Sequence, residues 1–251
     1  MTPITYVFNK PLLNYPMKLI YYLRYFFFIG VNWNFRLAFF TTWHEIKGER
    51  KYDLNSIGLD KLHKLSIKGD NLTHSSIYQA SNYYILEKGF NYLRSINANN
   101  SIVDFGCGKG RVLAVAACFE FKYITGIDFA RALCLSAEQN IKVTKLRYPS
   151  VKFNVICEDV VNYKIKKEQN VFFFFNPFDD VVMLEVVRNI LASLKEKSRK
   201  VYIMYVNPVH KEIFLSAGFQ EEYYQRKLHY LELSILSNNL DNENYIDDFR
   251  D

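Results

Sequence analysis

From residue 101 onward, short apolar runs alternate along the chain with segments of helical periodicity. The strand-like runs are, in chain order, SIVDF, YITGID, VKFNVI, VFFFF and RKVYIMYV. Short runs that are buried on both faces and separated by helices predict a parallel sheet with right-handed crossovers. The last two runs, EEYYQ and KLHYLELSIL, have no helix between them and predict a hairpin at the sheet edge. The pattern therefore predicts a doubly wound α/β fold around a mostly parallel, seven-stranded sheet.

The segment before this sheet begins polar and ends in a helical pattern. Its apolar positions are spaced for one buried helix face, at Ile85, Leu86, Phe90, Leu93 and Ile96. We interpret the chain as four parts, which are an aromatic, basic arm (1–44), a helical leader (45–100), an α/β domain (101–236) and an acidic tail (237–251).

The N-terminal arm differs in composition from the rest of the chain. Residues 1–44 contain no Asp or Glu, four basic residues and both tryptophans. The apolar stretch LIYYLRYFFFIGVNW is interrupted by Arg24 and is shorter than a membrane-spanning helix requires. Basic and aromatic residues together are typical of a helix that lies in a membrane interface. The alternative is a hydrophobic arm that packs on the domain or on a second subunit.

The cysteine and charge content restrict the class of protein. Cys107, Cys118, Cys134 and Cys157 show neither C-x-x-C spacing nor a nearby histidine, and no histidine pair has metal-ligand spacing. We therefore expect no metal site, no disulfide framework and a reducing, cytoplasmic location. The net charge of +6 is spread through the chain and gives no strong signal for nucleic acid.

A glycine-rich loop follows the first predicted strand. Gly106, Gly108 and Gly110 would lie in a strand-to-helix turn, where glycine allows a sharp turn and the close approach of a ligand. Dinucleotide enzymes use the spacing G-x-G-x-x-G and bind a pyrophosphate at the helix N-terminus. Here the spacing is G-x-G-x-G, and Asp104 stands two residues before the first glycine. An acid at this position repels a pyrophosphate and attracts a cationic ligand group.

The stretch VDFGCGKG, residues 103–110, resembles the first motif of the class I, Rossmann-like S-adenosylmethionine-dependent methyltransferases, which reads [D/E]-x-G-x-G-x-G. The match is complete at Asp104 and the three glycines, and Cys107 lies among them. The resemblance implies a Rossmann-like fold, S-adenosylmethionine as cofactor, and methyl transfer as the reaction.

Two further acids extend this resemblance. Asp128 ends the second strand, where the family's carboxylate accepts hydrogen bonds from the ribose hydroxyls, and Phe129 is expected against the adenine ring. Asp159 and Val160 follow the third strand and resemble the family's adenine-binding pair, with Glu158 as the neighbouring alternative. As an alternative to ligand binding, Asp128 and Asp159 would be N-caps of the helices that follow them, and the glycines would serve helix packing.

The fourth strand ends in Asn176, Pro177 and Phe178. This sequence is similar to the [N/D/S]-P-P-[Y/F/W] motif of methyltransferases that act on amino groups, although one proline is missing. The resemblance implies that the asparagine and a backbone carbonyl orient an amino group while the aromatic ring closes the site. The alternative is a helix start, with Asn as N-cap and Pro at the first helical position, as also expected for Asn207 and Pro208.

Three more residues lie near the predicted site. Tyr78 resembles an aromatic residue that some members of the family place over the methionine end of the cofactor, and its alternative is a core tyrosine. Lys109 and Arg111 are expected in solvent at the start of the helix, with the carboxylate of the cofactor as a second interpretation.

The sequence does not identify the methyl acceptor or the oligomeric state. An amino group of a protein or small molecule is the first expectation, and O-methylation of a glycan or a lipid-linked intermediate is the alternative. A nicotinamide-dependent oxidoreductase and a non-catalytic cofactor-binding protein are the remaining function classes.

Overall fold

The structure is a computed structural model that describes residues 15–56, 80–175 and 178–239. The chain divides into two compact units, Met1–Lys47 and Gly48–Asp251. The four-part division made from the sequence stays a prediction.

Two helices account for the described part of the first unit and for the beginning of the second. They are α1 (Tyr15–Asn32) and α2 (Phe35–Tyr52). Asn34 starts α2, because its side-chain Oδ1 accepts a hydrogen bond of 2.8 Å from the Leu37 amide. The described part of the predicted N-terminal extension is therefore helical. Among the helices of the described ranges, none has both the length and the hydropathy to cross a bilayer.

The second unit contains a seven-stranded sheet. Its strands are β1 (Ser101–Phe105), β2 (Tyr123–Asp128), β3 (Lys152–Cys157), β4 (Val171–Phe175), β5 (Tyr202–Val206), β6 (Phe219–Lys227) and β7 (Leu231–Asn238). The spatial order is β3-β2-β1-β4-β5-β7-β6, and every pair is parallel except the two that involve β7. The predicted mostly parallel sheet with an antiparallel hairpin is confirmed.

Helices cover both faces of this sheet. They are α3 (Tyr83–Ser95), α4 (Arg111–Cys118), α5 (Arg131–Arg147), α6 (Asp180–Glu196) and α7 (Lys211–Ser216). One hydrophobic cluster joins α3, α4 and α5 to the face of β1 that carries Ile102. A second cluster joins α6 and α7 to the face that carries Val103 and Phe105. The sheet is therefore wound on both sides, as a Rossmann-like fold requires.

The leader helix α3 matches its predicted pattern except at one position. Asn82 caps the helix by accepting a hydrogen bond of 2.9 Å from the Tyr84 amide. Ile85, Leu86, Phe90 and Leu93 are fully buried, as predicted. Ile96 was assigned to the same face, and this assignment is wrong. It is 36% exposed because α3 ends at Ser95 and Ile96 is the C-cap, where the helical spacing no longer applies.

The sheet register brings the candidate residues together at the carboxyl ends of the parallel strands. Phe105 of β1 is paired with Ile127 of β2 and Phe174 of β4, and Asp128 is paired with Cys157 of β3. The loops after β1, β2 and β3 therefore leave the sheet side by side at the carboxyl ends of parallel strands. Ligands of open α/β sheets bind at this edge.

Candidate functional site

The glycine loop after β1 has a backbone that other residues would strain. Gly106, Gly108 and Gly110 have φ values of 83°, 52° and 78°, in the left-handed region. The amides of Gly106 and Cys107 both donate to the Ile127 carbonyl at 2.9 Å, which holds the loop against the end of β2. A Cβ atom on Gly110 would lie 3.1 Å from the Ala137 Cβ. Gly110 therefore allows close packing against α5, which is the alternative considered for this glycine. This packing does not exclude a ligand role.

Cys107 has its side chain inside the protein. It is 5% exposed, and burial raises the pKa of its thiol well above the usual range. A thiol with a raised pKa is a poor nucleophile at neutral pH. Cys107 therefore belongs to the packing of the loop.

Asp128 connects the end of β2 to the glycine loop. Its Oδ2 accepts a hydrogen bond of 2.9 Å from the Gly108 amide, and its Oδ1 accepts one of 2.9 Å from the Ala130 amide. The N-cap of α5 is Ala130, so the alternative that Asp128 caps this helix is wrong. Each carboxylate oxygen has two lone pairs, and each can accept one further hydrogen bond. The carboxylate therefore keeps the capacity to bind a pair of hydroxyl groups.

Asp104 is a buried carboxyl group whose hydrogen bonds are incomplete. The residue is 1% exposed, and among the described residues its Oδ2 has no hydrogen-bond partner. Burial, and then the nearby Asp128, raise the pKa of Asp104 well above its usual range. A buried polar atom without a partner costs about 1 to 3 kcal/mol. Such an atom beside a glycine loop fits a ligand that donates a hydrogen bond or carries a positive charge.

The loop after β3 holds the two residues predicted to contact an adenine ring. The Asp159 Oδ1 accepts a hydrogen bond of 3.2 Å from the Val161 amide and caps the 3-10 turn Val160–Asn162. The N-cap alternative for Asp159 is thus observed, although one oxygen of a carboxylate satisfies it. Val160 is buried, whereas Phe129 and Glu158 are half-buried. An adenine-binding role for these residues stays a prediction.

The residues after β4 are only partly described. Asn176 and Pro177 lie outside the described residues, and so does Tyr78. Phe178 is 9% exposed and packs edge-on against Phe174, with the ring centroids 6.3 Å apart. These contacts are those of a core residue, and closure of the acceptor site by Phe178 stays a prediction.

Helix α6 does not start where the sequence suggested. It begins at Asp180, and its N-cap is Asp179, whose Oδ1 accepts a hydrogen bond of 3.2 Å from the Val182 amide. The alternative that Asn176 caps this helix is therefore wrong. The same holds for Asn207, because the N-cap of α7 is His210. Asn207 instead has φ 51°, in the left-handed region that asparagine tolerates well.

Arg111, expected in solvent, is buried. Its Nη2 lies 3.4 Å from the Glu49 Oε1, and the two side chains are each 3% exposed. The Arg111 Nε donates to the Ser56 Oγ at 2.8 Å, and Nη1 donates to the Ser81 carbonyl at 2.8 Å. The guanidinium also lies 4.2 Å from the centroid of the Tyr83 ring. Desolvation of a guanidinium is costly, and these partners offset that cost.

Glu49 is surrounded by donors from the same cluster. Its Oε1 accepts hydrogen bonds from the Ser56 hydroxyl at 2.6 Å and the Tyr83 hydroxyl at 2.8 Å. The cluster fastens residues 49–56 to the first residue of α4, directly after the glycine loop. No pattern in the sequence indicates this cluster, because Glu49 stands in the polar stretch EIKGERKYDL among other charged residues.

The titration of Asp128 leads to a testable pH dependence. Burial raises its pKa from 3.8 to about 6, against the opposing effect of the Ala130 and Gly108 amides. A carboxyl group with a raised folded-state pKa stabilises the fold below the unfolded pKa, and this stability is lost as the pH rises through about 6. A shift of about two units corresponds to about 3 kcal/mol.

We therefore expect the stability difference between the ligand-free protein and Asp128→Asn to change by about 2 kcal/mol between pH 4 and 7. The wild type should lose stability relative to the variant as the pH rises. Urea unfolding of both proteins at several pH values measures this difference. Parallel pH profiles would contradict the assignment of the titrating group.

Comparisons with known proteins give likeness to solved structures only. No protein-family model matches the sequence, and no curated protein is similar to it. A magnesium protoporphyrin IX methyltransferase from Synechocystis PCC 6803 shares 10% identity over 64% of this chain and 87% of its own, with a TM-score of 0.48. A putative RNA methyltransferase from Pyrococcus horikoshii shares 16% identity over 70% and 90%, with a TM-score of 0.48.

A third likeness is to a ribosomal protein L11 methylase from Lactobacillus delbrueckii subsp. bulgaricus. It shares 13% identity over 62% of this chain and 78% of its own, with a TM-score of 0.45. At these identities the likeness concerns the fold. Activity must be inferred from the residues of this chain.

Proposed function

We propose that this protein is an S-adenosylmethionine-dependent methyltransferase. The observation that carries the proposal is a pair of buried carboxyl groups, Asp104 and Asp128, on either side of a left-handed glycine loop. Among the described residues, the Asp104 Oδ2 has no partner within the protein. A ligand that brings a cation and hydroxyl donors to this loop supplies what the two groups lack.

The acids favour this cofactor over a dinucleotide. A pyrophosphate at the start of α4 would oppose ionisation of both carboxyl groups within a poorly solvated loop, whereas a cationic ligand would favour it. S-adenosylmethionine has no phosphate, a positively charged sulfonium and an ammonium group. Asp104 would attract its cationic end, and Asp128 would accept hydrogen bonds from the ribose hydroxyls. Phe129, Asp159 and Val160 would form the adenine side of the site.

When bound, S-adenosylmethionine supplies an electrophilic methyl group on sulfur. With its cationic end held by Asp104 and its ribose by Asp128, the cofactor would supply this methyl group to an acceptor lone pair, and the electrons of the carbon–sulfur bond would stay on sulfur. An amino or hydroxyl acceptor also loses a proton to a base or to water. The protein's contribution is to align the acceptor with the methyl group and to exclude water.

For the acceptor we propose an amino group, oriented by Asn176 and the Pro177 carbonyl. Support comes from the start of helix α6. Its N-cap is Asp179, so Asn176 is not needed to cap this helix. The acceptor molecule is not identified, and O-methylation of a glycan or lipid-linked intermediate is the second candidate. A reducing, cytosolic location agrees with the four cysteines, all of which are free thiols.

The cofactor assignment predicts that S-adenosylhomocysteine raises the melting temperature, because a ligand that binds only the folded state stabilises it. Asp128→Ala should weaken binding by about 1 to 3 kcal/mol, and Asp104→Asn should weaken it in the same direction. Isothermal titration calorimetry measures both affinities.

The matched control is Asp179→Ala, which removes a carboxylate N-cap from α6. It should cost about 1 kcal/mol of stability without changing the affinity for S-adenosylhomocysteine. If NAD raises the melting temperature and S-adenosylhomocysteine does not, the protein is a nicotinamide-dependent oxidoreductase instead.

Binding without catalysis is a separate outcome. Transfer of a labelled methyl group to fractionated lysate tests for turnover and sorts the acceptor among proteins, nucleic acids, glycans, lipids and small molecules. Tight binding of S-adenosylhomocysteine together with no transfer to any fraction would make the protein a cofactor-binding protein.

A further inference from the structure

Helix α1 presents apolar side chains on its exposed side. Its exposed positions recur in pairs four residues apart, at 19–20, 23–24, 27–28 and 31–32, so they form one continuous helix face. The large apolar side chains of this face are Leu19, Ile20, Leu23, Phe27, Phe28 and Val31, with exposures from 46% to 77%. A surface helix normally carries polar residues on this side.

Helix α2 also exposes large apolar side chains. Phe35, Phe39 and Trp43 follow one another at a spacing of four residues and are 57%, 67% and 58% exposed. At the turn between the helices, the exposed rings of Phe28 and Trp33 are in contact, with centroids 5.9 Å apart. We call these ten residues, the six of α1 with Trp33 and the three of α2, the aromatic face. Exposed apolar surface of this extent is typical of an interaction site.

The charges around the aromatic face have one sign. Arg24, Arg36 and Lys47 are exposed on the same two helices. The sequence has no Asp or Glu from residue 1 to residue 44, and the first one, Glu45, is 5% exposed. Two copies of this face brought together would place cations against cations, which opposes self-association. An anionic partner is favoured instead.

We infer that the aromatic face binds an anionic lipid surface and lies in the membrane interface. Phe and Trp rings insert at the depth of the lipid headgroups, and Arg and Lys side chains meet anionic lipids beside them. Neither helix needs to cross the bilayer for this mode of binding. The inference stands independently of the proposed methyltransferase activity, since it concerns residues of the first unit.

The two tryptophans make the test direct. The chain contains only Trp33 and Trp43, and both belong to the aromatic face. Their emission should therefore shift to shorter wavelength and become quenchable by brominated lipid when the full chain is mixed with phosphatidylcholine–phosphatidylglycerol vesicles. Flotation through a density gradient separates vesicle-bound protein from aggregates, which do not float. Raising the salt concentration should weaken binding, because the attraction between the cations and the lipid is screened.

Substitutions that keep both tryptophans identify the surface. Phe27→Glu and Phe39→Glu, one on each helix, should each lower the partition into anionic vesicles about tenfold or more, because burial of a Phe-sized side chain is lost and a like charge is added. The matched control is Leu146→Glu on α5, since Leu146 is 71% exposed and Phe39 is 67% exposed. This control should float as the wild type does.

The inference would be overturned by three results. One is wild-type protein that stays at the bottom of the gradient with anionic vesicles. Another is equal binding to pure phosphatidylcholine without any effect of salt. The third is a wild-type dimer in sedimentation-velocity experiments that Phe39→Glu dissociates, which would assign the aromatic face to a second copy of the chain.

Discussion

Arg111→Met is expected to lower the free energy of unfolding by about 3 to 5 kcal/mol, the cost of leaving one charge of a buried ion pair without its partner. Glu49 would remain buried, with the Ser56 amide and hydroxyl and the Tyr83 hydroxyl still donating to it. The cation–π contact between Arg111 and the Tyr83 ring would also be lost. Urea unfolding followed by far-UV circular dichroism measures the effect, because both tryptophans lie in the first unit and do not report on the sheet.

The matched control is Lys167→Ala. Lys167 and Glu196 also form an ion pair, at 3.6 Å, but their side chains are 59% and 65% exposed. Exposed pairs contribute about 0 to 1 kcal/mol, so this variant should unfold close to the wild type.

The double variant Arg111→Met with Glu49→Gln removes both charges and should recover part of the stability lost in Arg111→Met. Additive losses in the double variant would mean that the two residues stabilise the protein through separate contacts.

Asn176→Ala is expected to lower methyl-transfer turnover about 100-fold or more, while the affinity for S-adenosylhomocysteine stays close to that of the wild type. One correctly placed polar group that acts in the transition state is worth about 3 to 4 kcal/mol. The proposed cofactor site lies in the loops after β1, β2 and β3, whereas Asn176 follows β4. Turnover is measured on the acceptor fraction that the labelled-methyl assay identifies, and affinity by calorimetry.

The control is Asn207→Ala, because Asn207 and Pro208 follow β5 as Asn176 and Pro177 follow β4. Asn207 has φ 51°, so alanine should cost about 1 to 2 kcal/mol of stability through backbone strain. Turnover per folded molecule should not change. If both variants lose activity in proportion to the loss of folded protein, Asn176 has a structural role only.

The strand-and-helix plan could be predicted from the sequence because each element carries its own local pattern. The runs SIVDF and VFFFF became the fully or almost fully buried strands β1 and β4, as expected for a sheet covered on both faces. The glycine spacing likewise predicted the loop, since only glycine adopts three left-handed conformations within five residues at low cost.

The hairpin lies at the sheet edge as predicted, but the order of its two strands was not predictable from local pattern. The hairpin was expected at the edge, and β6 is the edge strand, but β7 is inserted between β5 and β6. Two runs without a helix between them predict their mutual pairing. Which of them also pairs with β5 is decided by contacts between distant segments, such as Met204 with Ile235.

By itself, the sequence determined the fold class, the glycine loop and the acids beside it, because these follow from local periodicity and from the stereochemistry of glycine. Only the tertiary structure decided which polar groups are buried and what compensates them. It excluded the N-cap alternative for Asp128, whose carboxylate accepts hydrogen bonds from the Gly108 and Ala130 amides instead. It placed Arg111 beside Glu49, 62 residues earlier in the chain. A side chain's cost of desolvation depends on its neighbours in space, and no pattern along the chain records them.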